Sequence, residues 1–225
     1  MTVSTGFFKK IQQWIVDENS GEIAYQPFQV NGNPYKSNVF LLGAIPEPYL
    51  QITIEDLKLY ADALVNTEVF QEFFHENTSR EYKGCLNFMS WMKGQLQETV
   101  VYTNVNCLYM ENIKKYNELK KQKDSSFTKG LEVFQEVLNE FTPKVLIVQG
   151  TTAWKYFLEE YEDQLIDYNG KGYSAQQLET NGVVGKLPLT NGENVNILVC
   201  RSMSYFGKTG TSFGDFKQTL DELLS

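Results

Sequence analysis

Chemistry on this chain would fall first to two short segments. Gly43-Ala44-Ile45-Pro46-Glu47-Pro48 follows an apolar run that begins at Val39. An apolar run broken by Gly and then Pro is how an α/β sheet delivers backbone to the rim where ligands collect. The segment carries one carboxyl group, Glu47, whereas Ile45 beside it can neither move a proton nor polarise water. A glutamate held between two prolines also has the plainer reading of a solvated turn residue. The second segment runs from Ser202 to Thr209 and departs at one position from the phosphate-cradling pattern G-x-x-x-x-G-K-[ST], with Ser202 at the first Gly. Lys208, Thr209 and Ser212, leading toward the last helix, would hold one phosphate of DNA or of a nucleotide.

The single histidine closes off other chemistries. A Ser-His-Asp or Cys-His catalyst would need His75, and a zinc site with two His ligands is impossible. His75 reads as an ordinary surface or helix-end residue. Cys85, Cys107 and Cys200 lie far apart with no C-x-x-C pair, so neither a metal site nor a cofactor is expected. Reduced, buried thiols in a cytoplasmic protein are the expectation instead. Asn112 to Lys123 is the densest basic stretch, and on a helix Lys114, Lys120 and Lys121 can share one face. That face is either a solvated one, with cations toward the helix C-terminus, or an edge that tracks phosphates. Tyr49, Tyr205 and Phe206 are the aromatic residues placed to stack on a base or wedge into DNA.

Four apolar runs must position these segments: Val39–Gly43, Thr99–Val105, Lys144–Gly150 and Val195–Cys200. Helical spacing joins Ile54 to Leu64, Cys85 to Leu96 and Leu131 to Phe141, the last closed by Pro143, and a final helix starts near Ser212. Strands alternating with helices predict a mainly parallel sheet of about four strands inside a three-layer α/β/α sandwich. The Gly- and Asn-rich stretch 165–189 reads as a small hairpin or an irregular excursion. Residues 1–35 read as an N-terminal helix, Phe7–Val16, and a lead-in to the sheet. The 225 residues suit one domain with a substantial core. No run approaches a membrane span, and the first ten residues lack the basic-then-apolar order of a signal peptide. A net charge of −8 opposes loose nucleic-acid binding while leaving room for a local basic face.

Read in order, the strand ends form a set. Asn33-Pro34-Tyr35 precedes the strand ending in Gly43-Ala44-Ile45-Pro46, and Val101-Tyr102-Thr103-Asn104 ends the second strand. Pro143 to Trp154 gives a third strand whose Gly150 turn opens a helix, and Val199-Cys200-Arg201-Ser202-Met203-Ser204 closes the fourth. Over roughly residues 30 to 215, this set resembles the uracil-DNA glycosylase-like superfamily. Its members have a first strand ending Gly-x-Asn-Pro or Gly-x-Asp-Pro, a second strand carrying Asn, and a late strand ending His-Pro-Ser. The resemblance implies a base pocket of Gly43, Ile45, Pro46, Tyr49, Asn104, Ser202 and Ser204, with Asn104 reading a flipped base. Ile45 stands where active members often place Asn or Asp, and Ser202 and Met203 where they place His and Pro. Glu47 is then the substitute carboxylate for catalysis.

The leading expectation is a base- or nucleotide-binding protein of that fold, a divergent DNA glycosylase excising a damaged or modified base, with DNA or a nucleotide as partner. The alternative is a non-catalytic interaction or regulatory protein that keeps the fold and binds another protein. A third reading is a small nucleotide-binding protein built on Gly207-Lys208-Thr209. A glycosylase predicts a basic surface around the strand ends; an interaction protein predicts an apolar or acidic one.

Overall fold

The structure, a computed structural model, describes residues 3–73, 78–209 and 212–225. Its elements run α1 (Thr5–Ile15), β1 (Val39–Gly43), α2 (Leu57–Ala63), α3 (Thr67–Gln71), α4 (Arg80–Trp91), β2 (Val100–Asn104) and α5 (Ile113–Gln122). They continue with α6 (Ser125–Phe141), β3 (Val145–Gln149), α7 (Gly150–Tyr161), α8 (Ala175–Leu178), β4 (Gly185–Pro188), β5 (Asn194–Cys200) and α9 (Gly214–Leu224). Helix starts follow local chemistry: the side chains of Ser4, Ser79, Asn112 and Asp124 accept backbone N–H groups that the first turns of α1, α4, α5 and α6 leave without helical partners. The histidine reading falls on His75, which lies outside the described residues.

All four apolar runs are strands, and they pair in parallel in the order β2-β1-β3-β5. The sheet has five strands, not four: β4 adds antiparallel to β5 at the edge. It lies in the stretch read as a hairpin or excursion, and Asn191-Gly192 turns the chain between β4 and β5, with Gly192 at φ +86°. Its final Pro188 suits an edge strand, because proline has no ladder N–H to give.

The layers follow from side-chain alternation. β1 sends Phe40 and Leu42 into a core with α1, α2, α6 and α7, where Trp14, Tyr60, Phe134 and Phe157 are buried. Val39 and Leu41 point the other way, against Phe88 of α4 and Phe216 and Leu220 of α9. Strands covered on both faces need no polar alternation, which is why each reads as a continuous apolar run. The lead-in is stitched down as well: the backbones of Gln29 and Tyr102 exchange hydrogen bonds of 2.7 and 2.8 Å, covering part of the β2 edge.

A backbone contact sets the position of α4. A Cβ on Gly84 would stand 1.7 Å from the Met203 carbonyl oxygen, so helix and post-β5 turn meet backbone to backbone. From β1 the chain crosses to β2 on one side and later returns to β3 on the other. In such a sheet the crevice for ligands falls outside the carboxyl ends, where the order reverses. Among the described residues no helix is long and apolar enough to cross a membrane.

Candidate functional site

A cleft of about 540 Å³ opens at that crevice. The loop after β1 supplies Ala44 to Tyr49, the loop after β2 supplies Met110 to Asn112, and Ile113 and Thr152 come from the first turns of α5 and α7. The start of α4 adds Ser79 and Glu81. Among the described residues three carboxylates, Glu47, Glu81 and Glu111, line it, and no Lys or Arg does.

Glu47 is half-buried beside a second anion. Burial raises its carboxyl pKa above the ordinary value and the charge of Glu81 adds to this, while a hydrogen bond from Ser79 acts in the opposite direction. The Ser79 hydroxyl donates to Glu47 Oε2 and accepts the N–H of Tyr82, so the residue that caps α4 also holds the carboxyl. Glu81 is gripped from behind. Gln149 Nε2, at the end of β3, donates to its Oε1 at 2.6 Å, and the Ser202 hydroxyl, after β5, donates to its Oε2 at 2.8 Å. Gln149 Oε1 in turn accepts the N–H of Met203 at 3.0 Å. Loops after β1, β3 and β5 thus meet through the first turn of α4.

Directly beneath the first loop, Gly43 and Asn104 are partners in the β1–β2 register. A Cβ on Gly43 would lie 2.6 Å from Asn104 Oδ1 and 3.0 Å from the Tyr102 hydroxyl, so the close approach requires glycine. Asn104 is fully buried, its Oδ1 lies 3.5 Å from the Tyr102 hydroxyl, and its Nδ2 has no hydrogen-bond partner among the described residues. Asn106 is structural: Nδ2 donates to the Phe127 carbonyl, Oδ1 accepts the Leu108 N–H, and a Cβ on Gly130 would stand 2.0 Å from that oxygen.

The residues predicted from sequence are partly brought together. Ile45, Pro46, Glu47 and Tyr49 line the cleft. Tyr49 is 41% exposed, with its ring edge-on to Tyr109 at 6.4 Å. Gly43 and Asn104 lie beneath; Ser202 reaches the cleft through Glu81, and Ser204 is linked to Ser202, their hydroxyl oxygens 3.0 Å apart. Lys208, Thr209 and Ser212 are not among the lining residues. A short 3-10 turn, Met203–Tyr205, follows Ser202, and among the described residues no helix opens at Gly207–Thr209, where the phosphate pattern places one; α9 runs from Gly214. The shared lysine face is broken too, because Lys120 Nζ is 2.7 Å from Glu160 and 2.9 Å from Glu159 of α7.

Sequence reasoning missed Ser79 and Glu81. The signal for Ser79 was its place as an N-cap ahead of a helical stripe; nothing local points Glu81 toward a cleft. All three cysteines are free and buried, and burial pushes the Cys107 thiol up to about 12. No model of a known protein family matches the chain, and no curated protein matches it in sequence.

Proposed function

We propose that the cleft binds a nucleobase, free or within a nucleotide or DNA, and hydrolyses its N-glycosidic bond, as a divergent protein of the uracil-DNA glycosylase-like kind. The observation that carries this reading is Glu47: a half-buried carboxyl, beside a second carboxylate in a cleft at the strand ends, whose pKa is raised. Such a group keeps its proton closer to neutrality than a solvated glutamate and can deliver it to a leaving base as the C–N bond breaks. Asn104, with a buried amide N–H₂ that has no partner among the described residues and lies next to Gly43, supports the base-reading part of the proposal. Tyr49 at the rim supplies an aromatic face for stacking.

The test is a gel-based excision assay with labelled oligonucleotides carrying one uracil, hypoxanthine or alkylated base, run beside the corresponding free nucleosides. Glu47→Gln should lower single-turnover cleavage by about 100-fold or more, and Asn104→Ala should weaken base-dependent binding. A Glu47→Gln protein that cleaves at the parent rate overturns the assignment.

A specific observation favours a second reading. Among the described residues the cleft lining is acidic and holds no Lys or Arg, which suits a non-catalytic protein that docks a basic partner segment better than one that grips a phosphate backbone. The absence of cleavage on the whole panel, with salt-sensitive binding of a lysine-rich peptide that Glu81→Gln and Glu111→Gln each weaken, would decide for it.

A further inference from the structure

We infer that Glu81 is the second proton carrier of the cleft, taking a proton from the attacking water, and that Gln149 and Ser202 are the residues that position it. The inference rests on the hydrolytic reading of the cleft. Glu81 lines the same cleft as Glu47 but stands on a different element, the first turn of α4. Its oxygens are fixed by Gln149 Nε2 at 2.6 Å and by the Ser202 hydroxyl at 2.8 Å. Gln149 is only 1% exposed and is itself locked by the Met203 N–H, so the grip comes from the sheet and not from solvent. Each carboxylate oxygen accepts more than one hydrogen bond, so these donors leave room for a water. Of the two carboxyls, Glu47 is the one whose surroundings favour the protonated form.

The step balances as follows. The C1′–N bond breaks with its electron pair passing to the base, and the Glu47 proton goes to the base. Water oxygen bonds to C1′, and the proton it releases goes to Glu81. The products are the free base and the C1′-hydroxy sugar, and the proton on Glu81 returns to Glu47 through solvent. Groups facing the pair are Glu111 and Ser79 in the cleft, with Tyr102 and Cys85 behind, both kept neutral by burial.

Two measurements test this. The Glu47 side chain is titrated by carboxyl ¹³C NMR in the parent and in Glu81→Gln, and single-turnover cleavage is followed against pH in the parent, Glu81→Gln, Ser202→Ala and Glu47→Gln. Glu81→Gln should shift the Glu47 midpoint down and lower cleavage about 100-fold. Ser202→Ala, shown to be folded by its thermal transition, should move the acid limb of the rate profile to higher pH. A purely structural Ser202 would change the transition and leave that limb in place. An unmoved Glu47 midpoint overturns the pairing, as does Glu81→Gln cleaving at the parent rate. If Glu47→Gln is impaired and Glu81→Gln is not, only the role of Glu81 falls. If the parent cleaves nothing, or Glu47→Gln matches it, the hydrolytic reading falls and takes this inference with it.

Discussion

Glu179, which follows α8, is 5% exposed and receives the Arg201 guanidinium at 2.6, 2.9 and 3.1 Å, together with the Arg201 backbone N–H at 3.0 Å. Arg201 also lies 4.9 Å from the Phe213 ring, so one ion pair ties α8, β5 and the approach to α9 together. Glu47, at the other end of the same row of strand-end loops, has a serine hydroxyl and a neighbouring anion in place of a guanidinium. One carboxylate has everything an ionised group needs and is committed to the framework. The other sits where burial and a neighbouring anion favour its protonated form. Glu179 is buried and Glu47 half-buried, so both are withdrawn from water and differ in partner.

The largest effect that can break this contrast is on stability. Arg201→Ala leaves Glu179 buried and unpaired and should cost about 3 kcal/mol in urea unfolding, with most of that recovered when Glu179→Leu is added. A double variant no more stable than the single one would show that the pair holds geometry and not merely charge. Next comes Gly43→Ala, whose new Cβ meets Asn104 Oδ1 at 2.6 Å; the expected cost is about 1–2 kcal/mol, with weakened ligand binding. Glu47→Gln should do the reverse to stability. Because the folded-state pKa of Glu47 is raised, its stabilising contribution is complete below the unfolded value of about 4.3 and is lost as pH rises through the folded one. The parent should therefore lose stability relative to Glu47→Gln as pH climbs from 4 toward neutrality, measured by thermal melts at fixed ionic strength. The smallest effect belongs to a half-buried surface cluster: Lys120→Ala, which loses both Glu159 and Glu160, should cost about 0.5 kcal/mol, shrinking in high salt.

The layers were legible because the parallel strands are buried on both faces, so runs such as Val145–Val148 need no polar alternation to announce themselves. β4 was not, since four residues bounded by Gly185 and Pro188 carry no periodic signal; Asn191-Gly192 was the one clue, and it marks a turn before it marks a strand. Within the site, the first loop could be read from Gly43 and Pro46 because glycine and proline constrain backbone directly. Glu81 could not, because its role comes from contacts with Gln149 and Ser202, 68 and 121 residues away in sequence. The Ser202–Thr209 segment matched a phosphate pattern in spacing, yet the 3-10 turn at Met203–Tyr205 and the later start of α9 give its backbone another shape.

The backbone contact between Gly84 and Met203 has a temporal consequence. The turn after β5 has to arrive before α4 has its seat, and it brings Ser202 to Glu81 in the same event. During synthesis the loop bearing Glu47 and the helix bearing Glu81 emerge early, but the pieces that align them are made near residue 200. A growing polypeptide released short of that point would contain both carboxyls and lack the Ser202 and Met203 contacts that set their register. The order of manufacture would thus leave the two carboxyls without their common register until the sheet is nearly complete.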